Sequence, residues 1–219
     1  VHQTFVTMYE DELAYRDVRP VNWCTKHQTT LSDLETKDEL RTDPLYYLKY
    51  GPVIVATGRP ETIFGDVAVA VHPDDERYSK LVGTEIEVDL GIEQRSIKVV
   101  ADEMVDREFG TGVVKITPAH DPNDFEVAKR HKLPMDKVAI DERGKLTALT
   151  GPFEGLKVEE ARGKVVELLQ EKGLIDHVDD TYQHTVKVCY KCSRTIEPRI
   201  LPQWYIAMNR LGTKSGKNL

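Results

Sequence analysis

Phe5, Met8, Tyr9 and Leu13 recur at helical spacing among acidic and polar neighbours, which predicts a helix over residues 3–15. No capping residue precedes it, as expected of a helix that starts inside a longer element. Polar, Thr-rich strand material follows over 20–33. The charged stretch 37–44 lacks apolar periodicity and reads as a linker or hairpin tip. The pattern then changes. Short runs of β-forming residues predict strands at 45–50, 53–57, 67–71, 85–90, 96–101 and 113–117. Three helices are expected among and after them, at 74–81, 121–131 and 157–172. In the second, Asp121 suits the N-cap, Pro122 the first helical position and Asp124 the third. In the last, Val158, Ala161, Val165, Leu168 and Leu169 share one face, and Gly173 stops the helix. The chain then runs through Val186-Lys187-Val188 to Pro198 and a tail. Long helices are few, so the pattern favours a mixed α+β fold over a doubly wound parallel sheet. The expectation is a β-barrel-like core with a few peripheral helices.

Composition narrows the class. Of 219 residues, 40% are hydrophobic and 31% charged, which is a folded rather than a disordered chain. No apolar run approaches the ~20 residues of a membrane helix, and Val1-His2-Gln3-Thr4 does not read as a signal peptide. A cytoplasmic protein without membrane partners is therefore expected. The formal net charge is −7, so any grip on nucleic acid must be local, and DNA is not an expected partner. No acidic residue follows Glu197, whereas Arg199, Arg210, Lys214 and Lys217 do.

The three cysteines add chemistry. Cys189-Tyr190-Lys191-Cys192 is a C-x2-C, and Cys24-Thr25-Lys26-His27 is a C-x2-H. Together Cys24, His27, Cys189 and Cys192 supply the four soft or borderline ligands that tetrahedral Zn2+ prefers. A structural zinc there would tie both chain ends into a small zinc-ribbon-like region. The alternative is two unrelated clusters of reduced thiols. His184 is the nearest substitute should His27 point away.

Several motifs fall short. The glycine- and lysine-rich stretch from Gly212 to Asn218 is one residue too short for a phosphate loop. Gly110-Thr111-Gly112 lacks the third glycine of a dinucleotide fingerprint, and no nucleophile elbow is present. Two segments stand out instead. Thr57-Gly58-Arg59-Pro60-Glu61-Thr62 places an Arg and two hydroxyls at a strand end. In the second, Val113, Lys115 and Thr117 share one strand face just before a helix start carrying Asp121 and Asp124. That is a polar pocket wall, or alternatively an exposed edge lysine with ordinary capping aspartates.

Val21-Asn22-Trp23-Cys24, Leu31-Ser32-Asp33-Leu34-Glu35 and Arg59-Pro60-Glu61-Thr62 resemble class I aminoacyl-tRNA synthetases of the valyl, isoleucyl and leucyl group. Residues 68–73, Lys115 to Asp124, Ile196-Glu197-Pro198 and Gln203-Trp204 extend the resemblance over essentially the whole chain. Arg-Pro-Glu-Thr with Lys-Ile-Thr-Pro-Ala-His-Asp-Pro-Asn-Asp is most similar to the valyl branch. His-Ile-Gly-His and Lys-Met-Ser-Lys-Ser, the family's ATP-site signatures, do not occur. The resemblance therefore implies the editing insertion alone, with ATP used only by the full-length enzyme. Residues 37–185 would form the deacylase domain. Residues 1–36 would carry the first metal half-site, and 186–219 the second half-site with a returning strand.

The implied activity is hydrolysis of threonyl-tRNA(Val) within an enzyme that ligates valine to tRNA(Val). A non-catalytic acceptor-end module, an isoleucyl or leucyl editing domain and a free-standing deacylase are the alternatives. The implied partners are the tRNA(Val) 3′ end, threonine and valine esters, and the remainder of the synthetase. Asp124 would hold the substrate ammonium, and Asp121 would read the threonine hydroxyl or support a water. Lys115 and Thr117 would complete the polar wall. Thr57, Arg59 and Thr62 would hold the terminal adenosine and its phosphate, and Phe109 would pack on the substrate side chain or the adenine ring, with His120 nearby. Two positions depart from the family pattern. Gly58 stands where Thr is usual, and in zinc-binding members the places of Thr25 and His27 are often Pro and Cys.

Overall fold

The computed structural model describes residues 1–210. Twelve strands and three α-helices of the described chain follow one another as α1 (His2–Glu10), β1 (Ala14–Cys24), β2 (Thr29–Leu31), β3 (Thr36–Thr42), β4 (Leu45–Tyr50), β5 (Val53–Thr57), β6 (Ala68–Val71), β7 (Glu85–Asp89), β8 (Gln94–Ala101), β9 (Val113–Ile116), α2 (Pro122–His131), α3 (Val158–Glu171), β10 (Ile175–Asp179), β11 (Gln183–Cys189) and β12 (Glu197–Ile206). The mixed α+β expectation holds. The barrel does not close, because the strands form four separate sheets ordered β12-β1-β2, β10-β4-β5, β11-β3 and β7-β8-β6-β9.

Two compact units share the chain, Val1–Val21 with the chain from Ile200, and Asn22–Arg199. In the first, Trp204 packs edge-on against Phe5 and Tyr9 at ring separations of 5.0 and 5.7 Å. The second contains the main core. Ala68, Val69, Ala70 and Val71 of β6 are all buried, since β6 is flanked by parallel β8 and antiparallel β9. Phe64, Ile97, Ile116, Val165 and Leu169 pack into the same core. Burying each such side chain contributes roughly 1.5–3 kcal/mol.

Three predicted elements change. The first helix ends at Glu10, because Glu12 takes φ +56° and Leu13-Ala14 turn into β1. Residues 74–81 form consecutive turns rather than a helix. The charged stretch 37–44 is mostly strand β3, paired antiparallel with β11 over seven positions. Most of its side chains are exposed, so no apolar alternation marked it. The phosphate-loop-like stretch from Gly212, with Lys214 and Lys217, lies outside the described residues.

Candidate active site and metal centre

Strand β9 delivers Lys115 into the interior, where its ammonium donates to Thr62 Oγ1 (2.9 Å), Asp66 Oδ1 (3.1 Å) and Thr117 Oγ1 (2.5 Å). All three of its donors are thus used. Asp66 is fully buried and also accepts from Tyr50 Oη (2.6 Å) and from the Thr117 hydroxyl. Burial pushes the Asp66 carboxyl up, and Lys115 opposes it. Burial and the adjacent Asp66 raise the Tyr50 phenol well above its usual range. The hydroxyl of Thr62 donates to the Arg59 carbonyl (2.9 Å). Lys115, Thr62, Asp66 and Thr117 therefore form an internally satisfied wall that fixes the end of β9.

Immediately beyond, Asp121 caps α2, its Oδ1 accepting from the backbone N–H of Asn123 (2.7 Å) and Asp124 (3.2 Å). That leaves Oδ2 free of the cap. Capping and ligand reading are therefore compatible in Asp121, since each uses a different oxygen. Asp124 reaches back to accept from Thr117 N–H through Oδ2 (2.8 Å). Burial, then the neighbouring Asp121, pushes its carboxyl up to about 7, with Lys115 opposing. A carboxylate so poorly compensated gains from a cation brought to it.

The strand-end segment at Thr57 is arranged differently from its expected role. Arg59 forms a bidentate pair with Glu197 (2.7 and 2.8 Å) and lies 3.3 Å from Glu61 Oε1. Arg162 of α3 grips Glu61 from its other side at 2.9 Å. Burial alone would raise the Glu197 carboxyl, but Arg59 and His120 hold it low. Thr57 Oγ1 accepts from Arg59 N–H (3.1 Å). His120 is buried, and its Nε2 accepts from the N–H groups of Ala139 (2.9 Å) and Ile140 (3.2 Å). Nε2 is therefore unprotonated and the proton sits on Nδ1, 3.3 Å from Glu197 Oε1. Burial keeps this imidazole below its ordinary pKa. Phe109 is exposed beside Tyr182.

The four side chains with metal-ligand spacing converge as the sequence predicts. One ligand atom from each of Cys24, His27, Cys189 and Cys192 lies within 4.8 Å of every other. The Cys24 sulfur is 3.4 Å from His27 Nδ1 and 3.6 Å from the Cys192 sulfur, and Cys189 Sγ is 3.6 Å from His27 Nδ1. A tetrahedral Zn2+ with ~2.3 Å sulfur and ~2.0 Å nitrogen bonds needs ligand separations of about 3.5–3.8 Å. The donor set fits. His184 is not needed, because it pairs with Asp43 instead (3.0 Å). Each half-site repeats one turn. Gln28 N–H bonds to Cys24 O, Ser193 N–H bonds to Cys189 O, and Gln28 and Ser193 both take positive φ (+50° and +55°). Burial pushes the Cys189 thiol up, but the Lys191 and Cys192 N–H groups and His27 outweigh it and bring it to about 6.

A cleft of about 680 Å3 adjoins Gly58, Arg59, His120 and Asp121. Eight Lys and Arg side chains line it among the described residues, against four carboxylates. Asp66, Tyr50, Glu61, Arg162 and Glu197 had no assigned role in the sequence. Only Glu61 and Glu197 carried a signal, through the quoted motifs.

With this geometry in view, the relatives are informative. A family model described as tRNA synthetases class I (I, L, M and V) matches residues 1–219. The valine--tRNA ligase of Carboxydothermus hydrogenoformans is 48% identical over 217 residues, covering 96% of this chain and 24% of that protein. Those of Geobacter sulfurreducens (46% over 222 residues, 98% and 25%) and Thermotoga maritima (43% over 221 residues, 98% and 25%) are similarly related. The chain thus spans about a quarter of the length of these relatives. No helix among the described residues is long and apolar enough to cross a membrane. A match over the full sequence and this degree of identity place the chain in the class I tRNA synthetase family of the I, L, M and V group.

Proposed function

We propose that the chain is the editing domain of a valine–tRNA ligase and hydrolyses threonyl-tRNA(Val). The observation that carries this reading is the Asp121–Asp124 pair at the start of α2, beside the wall of Lys115, Thr62 and Thr117. Asp124, raised to about 7 and accepting one N–H, is the group a substrate ammonium would stabilise. Asp121 Oδ2 accepts the threonine hydroxyl, a bond that valine leaves unmade at a cost of roughly 1–3 kcal/mol. Such a second sieve answers a weakness of apolar pockets, which reject an added hydroxyl only ~100-fold; valine against threonine is a standard instance of that limit.

In the reaction, water adds to the ester carbonyl, the C–O bond to the ribose breaks, and the ribose oxygen takes up a proton. Lys115 and Thr117 act by holding Asp124 in place through the Thr117 N–H, so the ester stays near the attacking water. Thr57, Arg59, Thr62, Phe109 and His120 shape the side that receives the terminal adenosine. Arg59 does so mainly through its Glu197 pair, which ties the loop to the returning chain.

Cys24, His27, Cys189 and Cys192 hold a structural Zn2+ in this reading. Residues 37–185 serve as the deacylase body. Residues 1–36 and 186–219 connect to the rest of a cytoplasmic synthetase, which supplies ATP-dependent ligation and most tRNA affinity. The test is direct: this chain, incubated with threonyl-tRNA(Val) and valyl-tRNA(Val), should deacylate the first and spare the second. Equal rates, or no hydrolysis of either, overturn the proposal.

A further inference from the structure

Residues 139–147 form a short hairpin outside the polar wall. Ile140 bridges Leu146, and Thr147 N–H bonds to Ala139 O (2.9 Å). Asp141 Oδ1 closes the turn by accepting from the N–H groups of Arg143 (2.9 Å) and Lys145 (2.8 Å). The base of the hairpin carries both amides that His120 Nε2 accepts. Its tip is held from elsewhere in the chain. Trp23 Nε1 donates to the Glu142 carbonyl (2.8 Å). Gly144, at φ +72°, lies so near Thr25 that a Cβ there would sit 3.1 Å from Thr25 Cγ2. Arg199 donates to the Ile140 carbonyl (3.3 Å) and places its guanidinium 5.9 Å from the centre of the Trp23 ring.

The residues that grip this hairpin flank the cysteine and histidine corner. Trp23 and Thr25 are the sequence neighbours of Cys24. Ile196, which clusters with buried Cys24 and Cys189, directly precedes Glu197. His120 is thus braced twice from that corner. Glu197 Oε1 lies 3.3 Å from its Nδ1, and Trp23 holds the hairpin whose amides meet its Nε2. The two contacts fix one tautomer and one ring orientation, because a nitrogen facing two N–H donors must accept. His120 leads directly into Asp121, and Arg143 and Gly144 of the hairpin tip line the cleft with both.

We propose that Trp23 is a positioning residue for the site at α2. Its indole N–H fixes the 139–147 hairpin, the hairpin fixes His120, and His120 sets the entry into α2 where Asp121 stands. Asp121's part as reader of the substrate hydroxyl rests on the editing reading; the hold of Trp23 on His120 does not. A loosened hairpin frees Nε2 from both amides, so the proton redistributes between the two ring nitrogens and the backbone at 120–121 gains freedom. Misplacement of this kind slows a reaction without weakening binding.

The experiment compares the intact chain with Trp23→Phe, which keeps a ring beside Arg199 but has no N–H. Imidazole nitrogen NMR should show His120 with an unprotonated Nε2 in the parent and a mixture of tautomers in Trp23→Phe. Amide exchange at Ala139 and Ile140 should quicken about 3- to 10-fold, the scale of one lost hydrogen bond. The amides of Val69 and Val71 in β6 should keep the parent rate, which establishes that the core is folded. Gly144→Ala leaves Trp23 intact but wedges the tip away from Thr25, and should give the same tautomer mixture. A merely structural Trp23 would lower stability without moving the tautomer. On threonyl-tRNA(Val), Trp23→Phe should lower kcat about 10-fold at an unchanged KM. A changed tautomer with no deacylation even by the parent keeps the hold on His120 and removes the editing reading. Deacylation by the parent with the same kcat in Trp23→Phe keeps the editing reading and overturns the positioning role, as do parent-like imidazole signals in both variants.

Discussion

The candidate metal centre and the polar wall solve opposite problems. Cys24-x2-His27 and Cys189-x2-Cys192 come from distant parts of the sequence, but each half is a self-contained turn. Lys115, Thr117, Asp121 and Asp124 lie close in sequence, yet their chemistry depends on Asp66, Thr62 and Tyr50 from elsewhere. In the first region burial brings ligands together so that a cation would stabilise them. In the second it leaves one carboxylate, Asp124, in want of a cation. On the proposed function, a site that reads a positively charged substrate is strained until it is filled, whereas a structural metal site would be strained only when stripped.

The largest expected effect tests the first half of this contrast. Chelation of the metal-loaded chain should lower its melting temperature by on the order of 10 °C, because binding of a structural metal is folding free energy. Elemental analysis should give about one zinc per chain. An unchanged melting temperature would remove the metal from the account.

Asp124→Asn tests the other half through pH. The parent carboxyl titrates near 7 instead of at its ordinary value of 3.8, so the folded state holds its proton to higher pH than the unfolded state does. The stability this contributes is complete below about 4 and is lost as pH rises through about 7. Asp124→Asn escapes that loss. Its advantage over the parent in denaturant unfolding should grow by up to about 4 kcal/mol between pH 4 and pH 8. Parallel stability profiles would mean that Asp124 is well compensated.

Asp121→Ala should cost about 1 kcal/mol of stability through loss of the cap. It should also lower the ratio of threonyl to valyl ester hydrolysis, measured on folded protein. A lost cap with an unchanged ratio would assign Asp121 to structure alone. The smallest effect lies in the metal turns. Gln28→Gly and Ser193→Gly should each stabilise the loaded chain by a few tenths of a kcal/mol, because relief of the left-handed backbone slightly exceeds the added flexibility of glycine. A lowered urea midpoint would show that these side chains contribute something the turn geometry does not.

Legibility in the sequence followed the same division. The convergence of the four Cys and His side chains was readable because C-x2-C and C-x2-H are local spacings, and α2 was readable from Asp121-Pro122. Strands β5 to β9 declared themselves through Val and Ile, and β4 through Leu and Tyr. By contrast, β3 was missed because its side chains face solvent and its partner, β11, lies far along the chain. Asp66 gave no sign of its role, since a carboxylate after Gly65 reads as a turn until Lys115 and Tyr50 are seen against it. Arg59 was expected to meet a phosphate. Its bond to Glu197 depends on where the returning chain passes, which no local pattern encodes.

The central claim is that the Asp124 carboxylate is there to hold the substrate's α-ammonium. The measurement is the rate at which the parent chain and Asp124→Ala hydrolyse threonyl-tRNA(Val) and an otherwise identical ester with hydroxyl in place of the α-amino group. The parent should prefer the threonyl ester by about 100-fold, the scale of loss when a reacting group is no longer held in position. Asp124→Ala should hydrolyse both esters at the same slow rate. A parent chain indifferent to the amino group, or an Asp124→Ala variant that keeps the preference, would contradict the account.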